Sequence, residues 1–213
     1  MAVIHRTTLS PTKLELLTTW LPTRPWYQGT ATPVLARSGG FRLDDPQGEV
    51  GIEFMVVTDT SGAEPVAYFV PLTYRGAPLA GAEDALVGTT DHGVLGERWV
   101  YDGGHDPVLA AQLFALLDGR AEPQAQSETD APDPTITHTC TAGPFGQVVA
   151  KATDDAEGTD LTVMAAVLRL NRVLHPSQDG LRLPDGATGH VSGPWRTPED
   201  AEVRGVFAVL RTA

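Results

Sequence analysis

Residues 20–29 read Trp-Leu-Pro-Thr-Arg-Pro-Trp-Tyr-Gln-Gly and gather side chains suited to recognition. Trp20, Trp26 and Tyr27 could stack on the apolar face of a sugar ring, and Arg24 could hold a phosphate or carboxylate through its forked donors. A distant segment, Val70-Pro-Leu-Thr-Tyr-Arg75, offers a second pair of the same kind in Tyr74 and Arg75. These six residues are the candidate ligand or partner surface. Each also has a structural use. Proline-bounded aromatics anchor a helix to a sheet, and in an acidic chain each arginine finds a nearby carboxylate.

Other groups carry less. Glu49, Glu53 and Asp59 are carboxylates that could do acid–base work on a glycosidic bond. Glu53, however, falls on an alternating stretch beside solvent-facing positions, which places it on an exposed face. His92, His105 and Asp102 suggest metal ligation, but their spacing matches no zinc pattern. Asp91-His92-Gly93 reads instead as a turn with an exposed histidine, and Asp102-Gly103-Gly104 as a strand exit. Cys140 has no base fixed toward it, His138 being two residues away, and reads as a buried structural thiol. No Gly-x-Ser-x-Gly elbow or Walker-type phosphate loop is present. No catalytic residue, metal or cofactor is therefore expected.

The elements that would position these residues follow from periodicity. Ser10-Pro11 reads as an N-cap with proline at the first helical position, and Leu14, Leu17 and Leu21 then share one helix face until Pro22 stops it. Residues 30–47 carry turn chemistry. Val50, Ile52, Phe54 and Val56 alternate, as do Val66, Tyr68, Val70, Leu72 and Tyr74, so an antiparallel hairpin is expected there. A second hairpin is expected from residues 85–88 and 98–102. Asp106-Pro107 repeats the cap-plus-proline signal. Leu109, Leu113, Leu116 and Leu117 form a stripe expected to bury against the sheet of the first half, and Gly119 takes the C′ position.

Residues 120–134 contain no aliphatic side chain larger than alanine and read as a polar linker. Beyond it, residues 136–141, 147–153, 160–174 and 202–210 have β character. The expected layout is an α+β first half (1–119), a linker (120–134) and a mainly β second half (135–213).

Composition bounds the function. The chain has 213 residues, 41% apolar, with a net charge of −12. Nucleic acid and anionic membrane are poor partners for so acidic a surface. The single cysteine rules out an internal disulfide framework and a cysteine-based metal site. The N-terminus lacks the apolar core of a signal peptide, and no apolar run approaches the roughly 20 residues needed to span a bilayer, so a cytoplasmic location is expected.

Taken in order, five segments resemble the front end of actinobacterial maltokinases. They are Trp20 to Gly29, Val70 to Arg75, Ala85-Leu-Val-Gly88, Tyr101-Asp102 and the capped helix at Asp106-Pro107. The resemblance covers about the first 120 residues. It implies a cap domain, a small α+β unit with a curved antiparallel sheet likened to cystatin. In that family the cap precedes an intermediate subdomain and a two-lobed kinase that makes maltose 1-phosphate from maltose and ATP, close to trehalose synthase and α-glucan synthesis.

The catalytic parts of such a kinase are not expected here. No histidine opens a His-x-Asp-x-x-x-x-Asn loop, and Arg169 stands near where the family's phosphate-holding lysine would fall. The expectation is a non-catalytic cap-like protein. It would bind or regulate a protein partner in maltose, trehalose or glycogen metabolism, or bind a sugar. An enzyme of the glucan pathway with unfamiliar residues is the alternative.

Overall fold

The computed structural model describes residues 9–126, 131–146, 148–177 and 180–212. A two-residue strand, β1 (Leu9–Ser10), precedes the first helix, α1 (Lys13–Trp20). The N-cap of α1 is Thr12, which corrects the expectation of Ser10. Ser10 pairs with Asp91 in the sheet instead. The reason is the sequence Thr12-Lys-Leu-Glu15: Thr12 Oγ1 accepts from the Glu15 N–H at 3.3 Å, and the Glu15 carboxylate accepts the Thr12 N–H at 2.7 Å. This reciprocal capping box satisfies two donors that a helix start otherwise leaves open. Thr12→Ala should cost about 1 kcal/mol, read as a lowered urea midpoint with unchanged slope.

A meander follows: β2 (Leu35–Leu43), β3 (Gly51–Asp59) and β4 (Val66–Arg75), all antiparallel. The second expected hairpin is β5 (Leu86–His92) with β6 (Gly96–Asp102), and β6 pairs with the far end of β4 from Leu72↔Asp102 to Arg75↔Trp99. α2 (Pro107–Leu117) starts as its sequence dictates, with the Asp106 carboxylate accepting the Val108 N–H at 2.9 Å and Gly119 at φ +70° beyond its end.

Within the segment expected to be a linker, β7 (Gln124–Ala125) adds to β2 opposite Phe41 and Arg42, while residues 127–130 lie outside the described residues. The second half then supplies β8 (Thr137–Cys140), β9 (Lys151–Asp154), β10 (Gly158–Val163), β11 (Ala166–Asn171), β12 (Val173–Leu174), β13 (Ala187–Arg196) and β14 (Glu202–Thr212).

Neighbours in the sheet run β1-β5-β6-β4-β3-β2-β13-β14-β11-β10-β9. One further pairing changes the shape. β12 continues from β11 after a single residue and pairs back onto β4, Val173 with Tyr68 and Leu174 with Ala67, and the Phe69 N–H donates to the Arg172 carbonyl at 2.9 Å. The path β4-β3-β2-β13-β14-β11/β12 thus closes on itself. Phe69 on β4 and Phe207 on β14 belong to strands that are not neighbours, yet their rings lie 4.7 Å apart, a contact that crosses the interior. Phe41 and Phe54 stack at 4.4 Å beside them, and Trp195 closes the group 6.3 Å from Phe207. All five belong to one buried cluster that also contains Leu109, Leu113, Leu116 and Leu117 of α2 with Ile136 and Val191. The α2 stripe therefore meets residues of the second half as well as the first, and the helix lies against β8 and β13.

The opposite faces of β3 and β4 carry Met55, Val57, Tyr68, Val70 and Leu72, which bury against Leu17, Trp20 and Leu21. Period-two alternation splits each strand between these two cores. The architecture is a mostly antiparallel sheet with two short helices. It is sheet-rich, rather than clearly the α+β arrangement of sheet and packed helices that the sequence suggested.

Candidate functional site

The six residues singled out by sequence fall into three separate environments. Trp26 is fully buried and Trp20 nearly so, with ring centroids 5.8 Å apart in an edge-on arrangement and Tyr68 6.0 Å from Trp26. Arg24 lies over Trp20, its guanidinium carbon 4.9 Å from the ring centroid, and its Nε and Nη2 donate to Thr23 Oγ1. The tryptophans are thus covered rather than open as a platform. Tyr27 is half-buried and donates to Asp59 Oδ2 at 3.0 Å; burial and that carboxylate push its phenol up to about 12. Asp59 also accepts from the N–H groups of Val34 and Ser61, both at 2.9 Å, tying the chain just before β2 and the start of the β3–β4 turn to the end of β3.

Tyr74 and Arg75 diverge from that cluster. Tyr74 donates to Glu53 Oε2 at 2.7 Å, and Glu53 also receives Lys13 of α1 and, at 2.8 Å, Gln126. Glu53 is buried, which corrects the exposed face expected from alternation. Three donors, one of them charged, make burial tolerable and hold its carboxyl below the usual range against the opposing effect of desolvation. Arg75 clasps Asp106 with Nε and Nη2 at 2.6 and 2.7 Å, the acid pairing anticipated for it. Asp106 therefore both caps α2 and neutralises Arg75.

The most concentrated chemistry lies where the two halves meet. Arg172 and Asp102 are both fully buried, and Arg172 Nη2 donates to the two carboxylate oxygens at 2.6 and 2.7 Å. Arg172 Nε donates to Thr159 Oγ1 at 2.7 Å, and Thr159 in turn donates to Asp154 Oδ1 at 2.5 Å. His105 Nε2 meets Asp154 Oδ2 at 3.1 Å. The guanidinium also sits 5.0 Å from the Trp26 centroid, where the ring face favours a cation.

Asp102, His105 and Asp154 bring ligand atoms within 4.8 Å of one another, a grouping that could hold a metal ion. His92, suspected alongside them, is not part of it. Yet each carboxylate oxygen of Asp102 and Asp154 already has a donor, and the donor on Asp102 is itself a cation. The group is balanced internally as an ion-pair network joining β6, β9, β10 and the β11–β12 junction.

The network makes stability depend on pH in both directions. The hydrogen bond to Asp154 raises the His105 pKa above its usual 6.5 against desolvation. Its contribution is complete below that value and is lost as pH rises through the folded pKa. Burial acts to raise Asp154, but His105, Thr159 and Arg172 outweigh it and hold the carboxyl at about 2, so its contribution is complete above 3.8 and is lost as pH falls toward 2. The network's contribution to the urea midpoint should therefore be greatest from about pH 4 to 6.5 and decline on either side. His105→Gln should remove the alkaline decline and leave the acid one.

Sequence reasoning passed over Arg172 in favour of Arg169, which is held by Asp155 and Asp160 at 2.5 and 3.1 Å. The signal was present: Leu168, Leu170, Arg172 and Leu174 alternate on the buried face, so an arginine occupies an apolar slot and needs an anion. Cys140 is half-buried, with Sγ donating to the Ala142 carbonyl at 2.8 Å, and burial raises its thiol pKa.

No helix among the described residues is long and apolar enough to cross a membrane. The chain matches no curated protein. Residues 20–106, from the first tryptophan of the aromatic segment to the aspartate that caps α2, match the maltokinase N-terminal cap domain, so over this region the chain resembles that cap.

Proposed function

We propose that the chain is a non-catalytic, cytoplasmic cap-like protein that binds or regulates an enzyme of maltose, trehalose or α-glucan metabolism. The match of residues 20–106 to the maltokinase cap carries this reading. The strands β2, β3, β4, β5 and β6 all fall within the matched residues. Two observations favour binding over catalysis. Of the three suspected carboxylates, Glu49 is exposed while Glu53 and Asp59 are each saturated with donors, and the acids of the junction network are neutralised in place. Arg24, Tyr27 and Arg75 keep part of their surface open and are the residues through which a partner would be met.

Capture of partners from native lysate on the tagged full chain, read by mass spectrometry, tests the proposal. Enrichment of a maltose- or trehalose-processing enzyme, reduced by Arg24→Ala, supports it. Transfer of phosphate from ATP to maltose by the purified protein at enzymatic rates would overturn the non-catalytic part.

One observation favours a sugar-binding reading as well. A cleft of about 700 Å³ brings Gln28, within the aromatic segment, together with Asn171, His175, Ser177 and Arg182. Amide, hydroxyl and guanidinium groups suit a polyol. Calorimetric titration with maltose and trehalose checks it, and Gln28→Ala should weaken any binding seen.

A further inference from the structure

β9 is the last strand of the sheet. Among the described residues it pairs with β10 alone, so its outer edge offers unpaired backbone groups. That strand also borders a cleft of about 360 Å³. Ala150 and Ala152 form one wall and residues 81–85 the other. Gly104, His105, Pro107 and Ala110 lie between them. Most of this lining is glycine or alanine, which lets another backbone approach closely. Its lining carries four ionisable groups, of which Asp106 is held by Arg75 and His105 by Asp154, leaving the two on the far wall. Glu83 and Asp84 are exposed on the far wall, neither is in an ion pair among the described residues, and no lysine or arginine lines the cleft.

We propose that this cleft takes an extended, basic segment of a partner protein, which adds to the sheet beside β9 and sets a lysine or arginine against Glu83 and Asp84. Strand addition draws affinity from main-chain hydrogen bonds and specificity from alternate side chains. The carboxylates of the far wall select against acidic segments. A second copy of this chain is a poor occupant, because each copy carries a net charge of −12 and the same acidic wall. The proposal does not depend on which metabolic enzyme, if any, the protein serves.

The test uses the full chain and two fluorescein-labelled peptides, one alternating lysine with valine and one alternating glutamate with valine, followed by fluorescence anisotropy. The lysine peptide should bind and the glutamate peptide should not. E83Q combined with D84N should weaken binding about fivefold, the expected scale for two exposed charge pairs. Ala152→Trp, which fills the cleft, should abolish it, with circular dichroism checking that the variant folds. Hydrogen exchange should slow at residues 150–154 when the lysine peptide is present. Absence of binding, equal binding by the double variant, or protection appearing elsewhere would overturn the proposal. So would a dimer with residues 150–154 already protected, since the occupant would then be a second copy.

Discussion

Arg172→Met should lower the unfolding free energy by about 3–5 kcal/mol, the usual loss when one partner of a buried ion pair is removed. The substitution leaves Asp102 fully buried with the Gly104 N–H at 3.1 Å as its remaining donor. It also strips Thr159 of its donor and uncovers the face of Trp26. Methionine fills a similar volume, so the loss reports charge rather than a cavity. Asp102→Asn should be costly for the mirror reason, because it strands a buried guanidinium whose Nη1 already lacks a partner. Combining Arg172→Met with Asp102→Leu should recover most of the loss, since apolar replacement of a whole buried pair is often neutral or better. Urea unfolding of these variants, with Asp102→Leu alone completing the cycle, measures the coupling. A single-site loss below about 1 kcal/mol would mean that water reaches the pair.

Phe207→Ala is expected to be as damaging, about 3–5 kcal/mol. Phe207 lies 4.7 Å from Phe69, 6.3 Å from Phe41 and 6.3 Å from Trp195, ring centroid to ring centroid, and is fully buried. The ring fills the closed interior where strands of the two halves meet. Against a total stability of about 5–15 kcal/mol, such a loss leaves a marginal protein. Phe207→Leu should cost less than half as much, because most of the volume is kept. Differential scanning calorimetry of both variants separates cavity from shape, and near-ultraviolet circular dichroism reports whether the aromatic side chains stay ordered.

Local pattern in the sequence was enough for several elements. The Asp106-Pro107 start, the leucine stripe of α2 and the alternation that makes β3 and β4 all depend on neighbours within one turn or one hairpin. Thr12 was missed at the start of α1 because Ser10-Pro11 offered a competing cap signal, although Glu15 three residues on marks the capping box. Burial of Glu53 was not legible. Alternation gives the face of a strand but not what covers it, and here Lys13, Tyr74 and Gln126 arrive from other elements. The shared core was hidden for the same reason, since pairing of β12 with β4 and contact of Phe207 with Phe69 join segments distant in sequence. Among the candidate site residues, aromatic type alone could not separate a sugar platform from a helix anchor. The burial of Trp26 is decided by Tyr68 and Arg172.

The closed sheet has a temporal consequence. Phe41, Phe54 and Phe69 leave the ribosome well before Phe207, and Ala67 and Tyr68 of β4 wait for β12 to pair beside them, since β6 takes only Leu72–Arg75. Until then the early strands can form hairpins and α1 can cover the face that carries Tyr68 and Val70, but the face that carries Phe54 and Phe69 lacks its second-half partners. Such late, non-local closure slows folding and lengthens the interval in which a nascent chain shows hydrophobic surface. The order of the strands along the chain therefore leaves the interior face around Phe69 waiting until β14 is made.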